Sequence, residues 1–177
     1  MFHFTAFGAT QTRVPPGGFT ALTLFGGAEI RLPTLAERIV HRRRQRTVEP
    51  SRWDRWLGRD QGIVVTLFGG TGLIAPTLVE EYAALRNLVQ SGVVPRDECR
   101  ALLEDLMGSS AGSQEISRWT LFGGSSLESP SAKTETKSLQ AAEQAGVITP
   151  EIRRDLAQAI GCPMHTAAEI VSRAALV

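Results

Sequence analysis

Three histidines (His3, His41, His165) and two cysteines (Cys99, Cys162) are the side chains of this 177-residue chain best suited to hold a metal or attack an electrophile. Their spacing argues against both. There is no HxxxH pair and no paired cysteine spacing, so Cys162-Pro-Met-His165 offers only two ligands to a shared metal, and these residues read better as helix-end packing. Cys99 falls on the apolar side of an expected helix, which suits a small buried residue more than a nucleophile. The serines include no Gly-x-Ser-x-Gly elbow and have no histidine–acid pair to activate them. Glu80-Glu81, Asp97-Glu98 and Glu104-Asp105 are neighbouring carboxylates, but on solvated helix faces or first turns they need no catalytic role. No catalytic residue, cofactor or metal site is assigned.

The remaining chemistry is electrostatic. Nine arginines between Arg31 and Arg59 face only Glu37, Glu49 and Asp54, so the segment is strongly basic inside a chain of net charge +1. Its centre is Arg42, Arg43, Arg44 and Arg46, followed by Trp53 and Trp56. Clustered guanidinium groups can neutralise phosphates and nearby indoles can stack on bases or enter a membrane interface. A basic helix end that favours the macrodipole, with both indoles covering a β core, accounts for the same residues.

Composition bounds what can carry these residues. With 42% hydrophobic and 21% charged residues, the chain has material for one or two small domains. Its apolar runs fall well short of the ~20 residues of a membrane-crossing helix. The N-terminus lacks the pattern of a secretory signal, and two cysteines form no disulfide framework, so a reducing cytoplasm is expected.

Self-similarity is the strongest signal. Thr-Leu-Phe-Gly-Gly occurs at 23–27, 66–70 and 120–124, and Thr5-Ala-Phe-Gly-Ala9 is a weaker fourth copy. Pro15, Pro33, Pro76 and Pro130 each stand ten residues after the threonine. Phe4, Leu22, Val65 and Trp119, with Phe7, Phe25, Phe68 and Phe122, predict the buried side of a short strand. Gly8, Gly26, Gly69 and Gly123 predict a corner or bulge with positive φ or a close backbone approach, and Gly27, Gly70 and Gly124 follow in three copies. Thr12, Ile30, Leu73 and Leu127 then begin one face of a second strand. Such strands are too short to bury an apolar face alone, so copies must stack or pair. A phosphate cradle would need a Gly-Lys-Ser/Thr or a third glycine at the right offset, and neither is present.

Thr34-Leu-Ala-Glu37 and Thr77-Leu-Val-Glu80 are capping boxes, so two copies hand over to helices. Leu78, Val79, Tyr82, Leu85, Leu88 and Val89 form one apolar stripe that should stop at Gly92. A second helix begins near Pro95 with Cys99, Leu102, Leu103, Leu106 and Met107 inward. A constant shift of 54 residues lays Thr66 on Thr120, Gly92 on Gly146, Val94 on Ile148 and Leu102 on Leu156, so strands and hairpin are duplicated as one unit. The Gly/Ser-rich run between Met107 and Ser117 reads as a flexible linker, and polar Ser125 to Lys137 as a loose connection. Gly161-Cys-Pro163 should end a helix before a last amphipathic one over Ala167 to Leu176. The expected fold is α+β: a small β-solenoid or sandwich of four strand-Gly-strand repeats with inserted helical hairpins. The expected divisions are β repeats with a basic helix at 1–76, a hairpin at 77–108, a linker and fourth repeat at 109–131, and helices at 132–177.

Leu24-Phe-Gly-Gly-Ala-Glu-Ile-Arg-Leu-Pro33 and Phe4-Thr-Ala-Phe-Gly8 resemble the strand signature of the LiaF-like C-terminal domain of bacterial cell-wall-stress response proteins. Gly92-Val-Val-Pro-Arg-Asp-Glu98 and Gly146-Val-Ile-Thr-Pro-Glu151 are similar to the short helical modules (SHOCT and similar) joined to such domains. The resemblance implies a right-handed stack of short strands and a regulatory or assembly role without enzymatic chemistry. The expectation is therefore a non-enzymatic cytoplasmic scaffold or regulator that self-associates or docks a protein partner. The alternative is a nucleic-acid or anionic-membrane module using the Arg-rich segment 38–59.

Overall fold

A computed structural model describes residues 2–7, 10–13, 19–47, 62–108, 116–122 and 125–176. Among these residues the chain is α+β, with eight strands and six helices. Gly8, Pro15, Trp53, Trp56, Gly123, Gly124 and the linker at 109–115 lie outside the described residues. Contacts divide the chain into two compact units: 1–33, 41–75 and 109–129 form the β unit, while 34–40, 76–108 and 130–177 form the helical unit.

The β unit is made of four copies of a strand pair. The first strands are β1 (Phe2–Phe7), β3 (Phe19–Phe25), β5 (Gly62–Phe68) and β7 (Ile116–Phe122). The second strands are β2 (Thr10–Arg13), β4 (Ala28–Arg31), β6 (Thr71–Ile74) and β8 (Ser125–Glu128). They form two four-stranded sheets in the orders β1-β3-β5-β7 and β2-β4-β6-β8. Every pairing is parallel and in repeat register: Thr5, Thr23, Thr66 and Thr120 face one another in turn, as do Arg13, Arg31, Ile74 and Glu128. The intervening sequence supplies the crossover that parallel pairing requires.

Alternation along the second strands places Ala28 and Ile30 inside with Glu29 and Arg31 outside, and likewise buries Thr71 and Leu73. The first strands correct one expectation. Thr5 and Thr23 are buried, whereas Phe4, Phe7, Phe25, Phe68 and Phe122 are exposed. A strict two-residue period would put Thr23 and Phe25 on one side, but that alternation breaks where the strand runs into its glycine corner. Gly26 and Gly69 take the positive φ values 125° and 133°, and the chain departs from the extended geometry on which the period depends.

The second strand expected through Leu127 is present, and the polar segment that contains it is not a loose connection. Ser125–Glu128 is strand β8, held by parallel pairing with β6, and Ser131 caps the next helix through its hydroxyl. Main-chain hydrogen bonds need no apolar side chain, which is why a Ser-Ser-Leu-Glu segment can complete a sheet.

The helices are α1 (Leu35–Thr47), α2 (Leu78–Gln90), α3 (Arg96–Gly108), α4 (Ala132–Gln144), α5 (Pro150–Ala157) and α6 (Met164–Ala175). The division between units falls within α1, so only its first turns, with Ala36 and Ile39, belong to the helical core. That core gathers Tyr82 and Leu85 from α2, Cys99, Leu102 and Leu103 from α3, Leu139 from α4, Leu156 from α5 and Val171 from α6. The 54-residue correspondence is physical: Val94 and Ile148 are both buried, Leu102 and Leu156 are fully buried, and Gly92 and Gly146 turn their hairpins at φ 68° and 70°. Where the repeat substitutes Arg153 for Cys99, Arg153 Nε lies 3.0 Å from Glu143, a partly exposed ion pair in place of a buried thiol. The last helix begins at Met164, directly after Pro163, three residues before the expected start.

Candidate functional site

The glycine corners bring backbones so close that side chains are excluded. A Cβ on Gly69 would lie 1.8 Å from the Gly26 carbonyl oxygen. Gly26 N–H donates to the Phe68 carbonyl at 3.0 Å, and Gly69 N–H donates to the Phe122 carbonyl at 3.0 Å. Successive corners are therefore clamped together by the same bond.

That clamp sets the spacing of the phenylalanines just before it. Phe7, Phe25, Phe68 and Phe122 form a continuous stack, with ring centroids 5.1 to 5.2 Å apart and planes within 7° of parallel. The inner rings, Phe25 and Phe68, are 44% and 43% exposed, while the terminal Phe7 and Phe122 are 78% and 61% exposed. The result is an apolar ridge along one side of the β unit. Scattered exposed aromatic residues are ordinary, whereas these four form one contiguous row.

The helical unit contains a second repeated device. Thr34 N–H donates to Glu37 at 2.8 Å and Glu37 N–H returns to the Thr34 hydroxyl at 3.4 Å; Thr77 and Glu80 do the same at 2.9 and 3.2 Å. The capping boxes are thus formed. The first N–H of each helix is then satisfied from the next copy: Leu35 N–H donates to Glu81 at 2.7 Å, and Leu78 N–H donates to both oxygens of Glu135 at 3.2 and 3.1 Å. The sequence pattern gives Glu81 no role beyond a solvated helix face and does not single out Glu135, although the shift of 54 places one on the other. Their anionic oxygens also lie where the positive end of the helix dipole favours them.

Burial opposes their charge. It pushes the Glu81 carboxyl up to about 7, against the Leu35 N–H and the Arg38 guanidinium, which lower it, while Glu37 and Glu80 add to the rise. Burial likewise lifts Glu135, opposed by the Leu78 N–H and assisted by Glu80. Arg38, at the position in α1 equivalent to Glu81 in α2, is lowered by burial and partly restored by Glu81. Burial, with Glu98 nearby, also raises the Cys99 thiol, the opposite of what an activated nucleophile needs.

The other sequence candidates are dispersed. Arg42, Arg43, Arg44 and Arg46 lie on the second half of α1, where Arg44 and Arg46 are exposed and Arg42 and Arg43 half-buried. Trp53 and Trp56 fall outside the described residues, so their grouping with these arginines is not described. Cys162 Sγ donates to the Gln158 carbonyl at 3.1 Å, and His165 Nδ1 stands 3.5 Å from Glu169. Among the described residues, no three His, Cys, Asp or Glu side chains are gathered as ligands of one ion. A groove of about 370 Å³ in the helical unit is lined by Arg100, Glu104 and Met107 of α3 with Glu169, Ser172 and Arg173 of α6. No described helix is long and apolar enough to cross a membrane.

Comparison of the chain with protein-family models, curated proteins and solved structures finds no significant match.

Proposed function

We propose that this protein is a non-enzymatic scaffold or regulatory interaction protein of the cytoplasm whose β unit is a short solenoid that self-associates or docks a protein partner. The single observation that carries the reading is the exposed phenylalanine ridge, repeated in register over all four copies. A ridge of this kind offers contact area of one type, and rigid aromatic rings give up little conformational freedom on binding. The strand and hairpin strings that resemble LiaF-like and SHOCT-like modules favour the same class of function. Sedimentation velocity over a hundredfold range of concentration should show association that weakens when Phe25 and Phe68 are both replaced by serine. A strict monomer, unchanged by those substitutions and holding no protein partner, would remove the reading's support.

The exposure of Arg44 and Arg46 near the C-terminal end of α1 favours a second reading, a surface for nucleic acid or anionic membrane. Replacing Arg42, Arg43, Arg44 and Arg46 by glutamine should then abolish salt-sensitive retention on DNA or heparin. Unchanged retention would sink it.

A further inference from the structure

Both sheets stop at the same two places in the repeat order. β1 and β2, the strands of the first copy, are the outer strands at one end; β7 and β8, the strands of the fourth copy, are the outer strands at the other. Among the described residues each of these four strands has a strand neighbour on one side only. A sheet edge of this kind is a template for pairing with another chain.

We propose that the partner of each end is the opposite end of a second copy of this chain, so that copies join head to tail by continuing both parallel sheets. The inference rests on the self-association reading and specifies its mode. Three features point to it. The first is direction: every pairing within the chain is parallel and in repeat register, and only a heterologous join, β7 and β8 of one copy against β1 and β2 of the next, preserves that geometry. The bonds at the ends of the second strands show the step to be repeated. Leu32 N–H donates to the Ile74 carbonyl at 2.9 Å and Ala75 N–H to the Glu128 carbonyl at 3.1 Å. One step further, Ser129 N–H would donate to the Arg13 carbonyl of the next copy.

The second feature is charge. The column at the end of the second strands runs Arg13, Arg31, half-buried Ile74 and Glu128, with an exposed cation at one end and an exposed anion at the other. A head-to-tail join sets Glu128 beside Arg13, whereas a parallel join of two like ends sets arginine on arginine or glutamate on glutamate, and an antiparallel one sets Arg13 against Thr10 or Glu128 against Ser125 with no opposite charge gained. Like charges directly opposite are unfavourable, and Arg13 already faces Arg31 on its inner side. Neighbouring side chains in these columns do bond across strands, as Gln11 Nε2 does in donating to Glu29. The third feature is the aromatic stack. Among the described residues Phe7 and Phe122 each have a stacked ring on one side, and the join places Phe122 against Phe7 as the next member of the same series. All three features select the same pair of ends.

Charge reversal tests the join. Arg13→Glu and Glu128→Arg each place like charges at the junction, and each purified variant should associate about tenfold more weakly than the parent in sedimentation velocity. Mixing the two variants restores an opposite pair at every alternate-copy junction, so the equimolar mixture should recover the parental distribution, growing in steps of one chain with concentration. Circular dichroism of each variant is the check on folding, and both positions are exposed. Should either variant fail to fold, Arg13→Gln and Glu128→Gln replace them, each expected to weaken association by a smaller factor. A parent that forms a closed dimer of fixed size, or variants whose association is unaltered, would overturn the head-to-tail join while leaving self-association standing. A parent that stays monomeric overturns both.

Discussion

The Glu81 carboxylate of α2 accepts the first helical N–H of α1, at Leu35, across 46 positions of sequence and 2.7 Å of space. The equivalent Glu135 of α4 does the same for Leu78 of α2. Both α1 and α2 therefore start with a cap of their own and a second one borrowed from the following copy.

Burial of this borrowed cap gives stability a defined pH dependence. Because the folded Glu81 carboxyl is raised from 4.5 to about 7, the folded state binds the proton more tightly than the unfolded chain. The contribution of this group is complete below about pH 4.5 and is lost as pH rises through about 7. Glu135 is shifted in the same direction and adds to the trend. Chemical denaturation at pH 5 and pH 8 should show a lower midpoint at pH 8, and Glu81→Gln, which keeps an acceptor for Leu35, should reduce the difference. An identical pH difference in that variant would show that another group controls it.

The glycine clamp predicts a sharp contrast between two substitutions. Gly69→Ala sets a methyl group against the Gly26 carbonyl and forces alanine to φ 133°, so a loss of more than about 2 kcal/mol is expected. Gly92 has φ 68° with open space around it, and Gly92→Ala should cost only about 1 kcal/mol. Thermal melts of both variants compare the two directly.

Position in the aromatic stack should be measurable. Among the described residues Phe25 and Phe68 each stack on two rings, while Phe7 and Phe122 stack on one. With each ring pair worth about 0.5–1.5 kcal/mol, Phe25→Ala should cost roughly twice as much stability as Phe7→Ala at protein concentrations low enough to keep copies apart. Equal losses would mean that the stacking itself contributes little.

The duplicated hairpins should respond alike to matched truncations. Leu102 and Leu156 are both fully buried, so Leu102→Ala and Leu156→Ala should each destabilise by about 2–5 kcal/mol in denaturant titrations. A loss below about 1 kcal/mol at either position would show that the second hairpin does not repeat the packing of the first.

The parts legible in the sequence were those governed by short spacing. Thr77 and Glu80 announce their capping box because both partners lie within one helical turn, and Gly26 and Gly69 announce a corner because no other residue tolerates their φ. Leu102 and Leu156 followed from helical period and the internal shift. The function of Glu81 was not legible in the same way, because its partner is 46 residues away and its neighbour Glu80 already explains the local cap. The phenylalanine face was not legible because grouping residues three apart, such as Phe4 and Phe7, by apolar character alone does not say that threonine and not phenylalanine turns inward. Ser125–Glu128 was legible as a strand only through its place in the repeat, because main-chain pairing leaves no mark on side-chain polarity.

The threonine register Thr5, Thr23, Thr66, Thr120 advances one strand at a time in space, but by very different lengths of chain. The entropy of closing a loop grows only with the logarithm of its length, so tripling an insertion costs on the order of 1 kcal/mol. Inserted helices can therefore lengthen or be exchanged between copies while the strand lattice keeps its geometry. A gene that duplicates one strand pair together with whatever follows it gains a new rung without redesigning those already present.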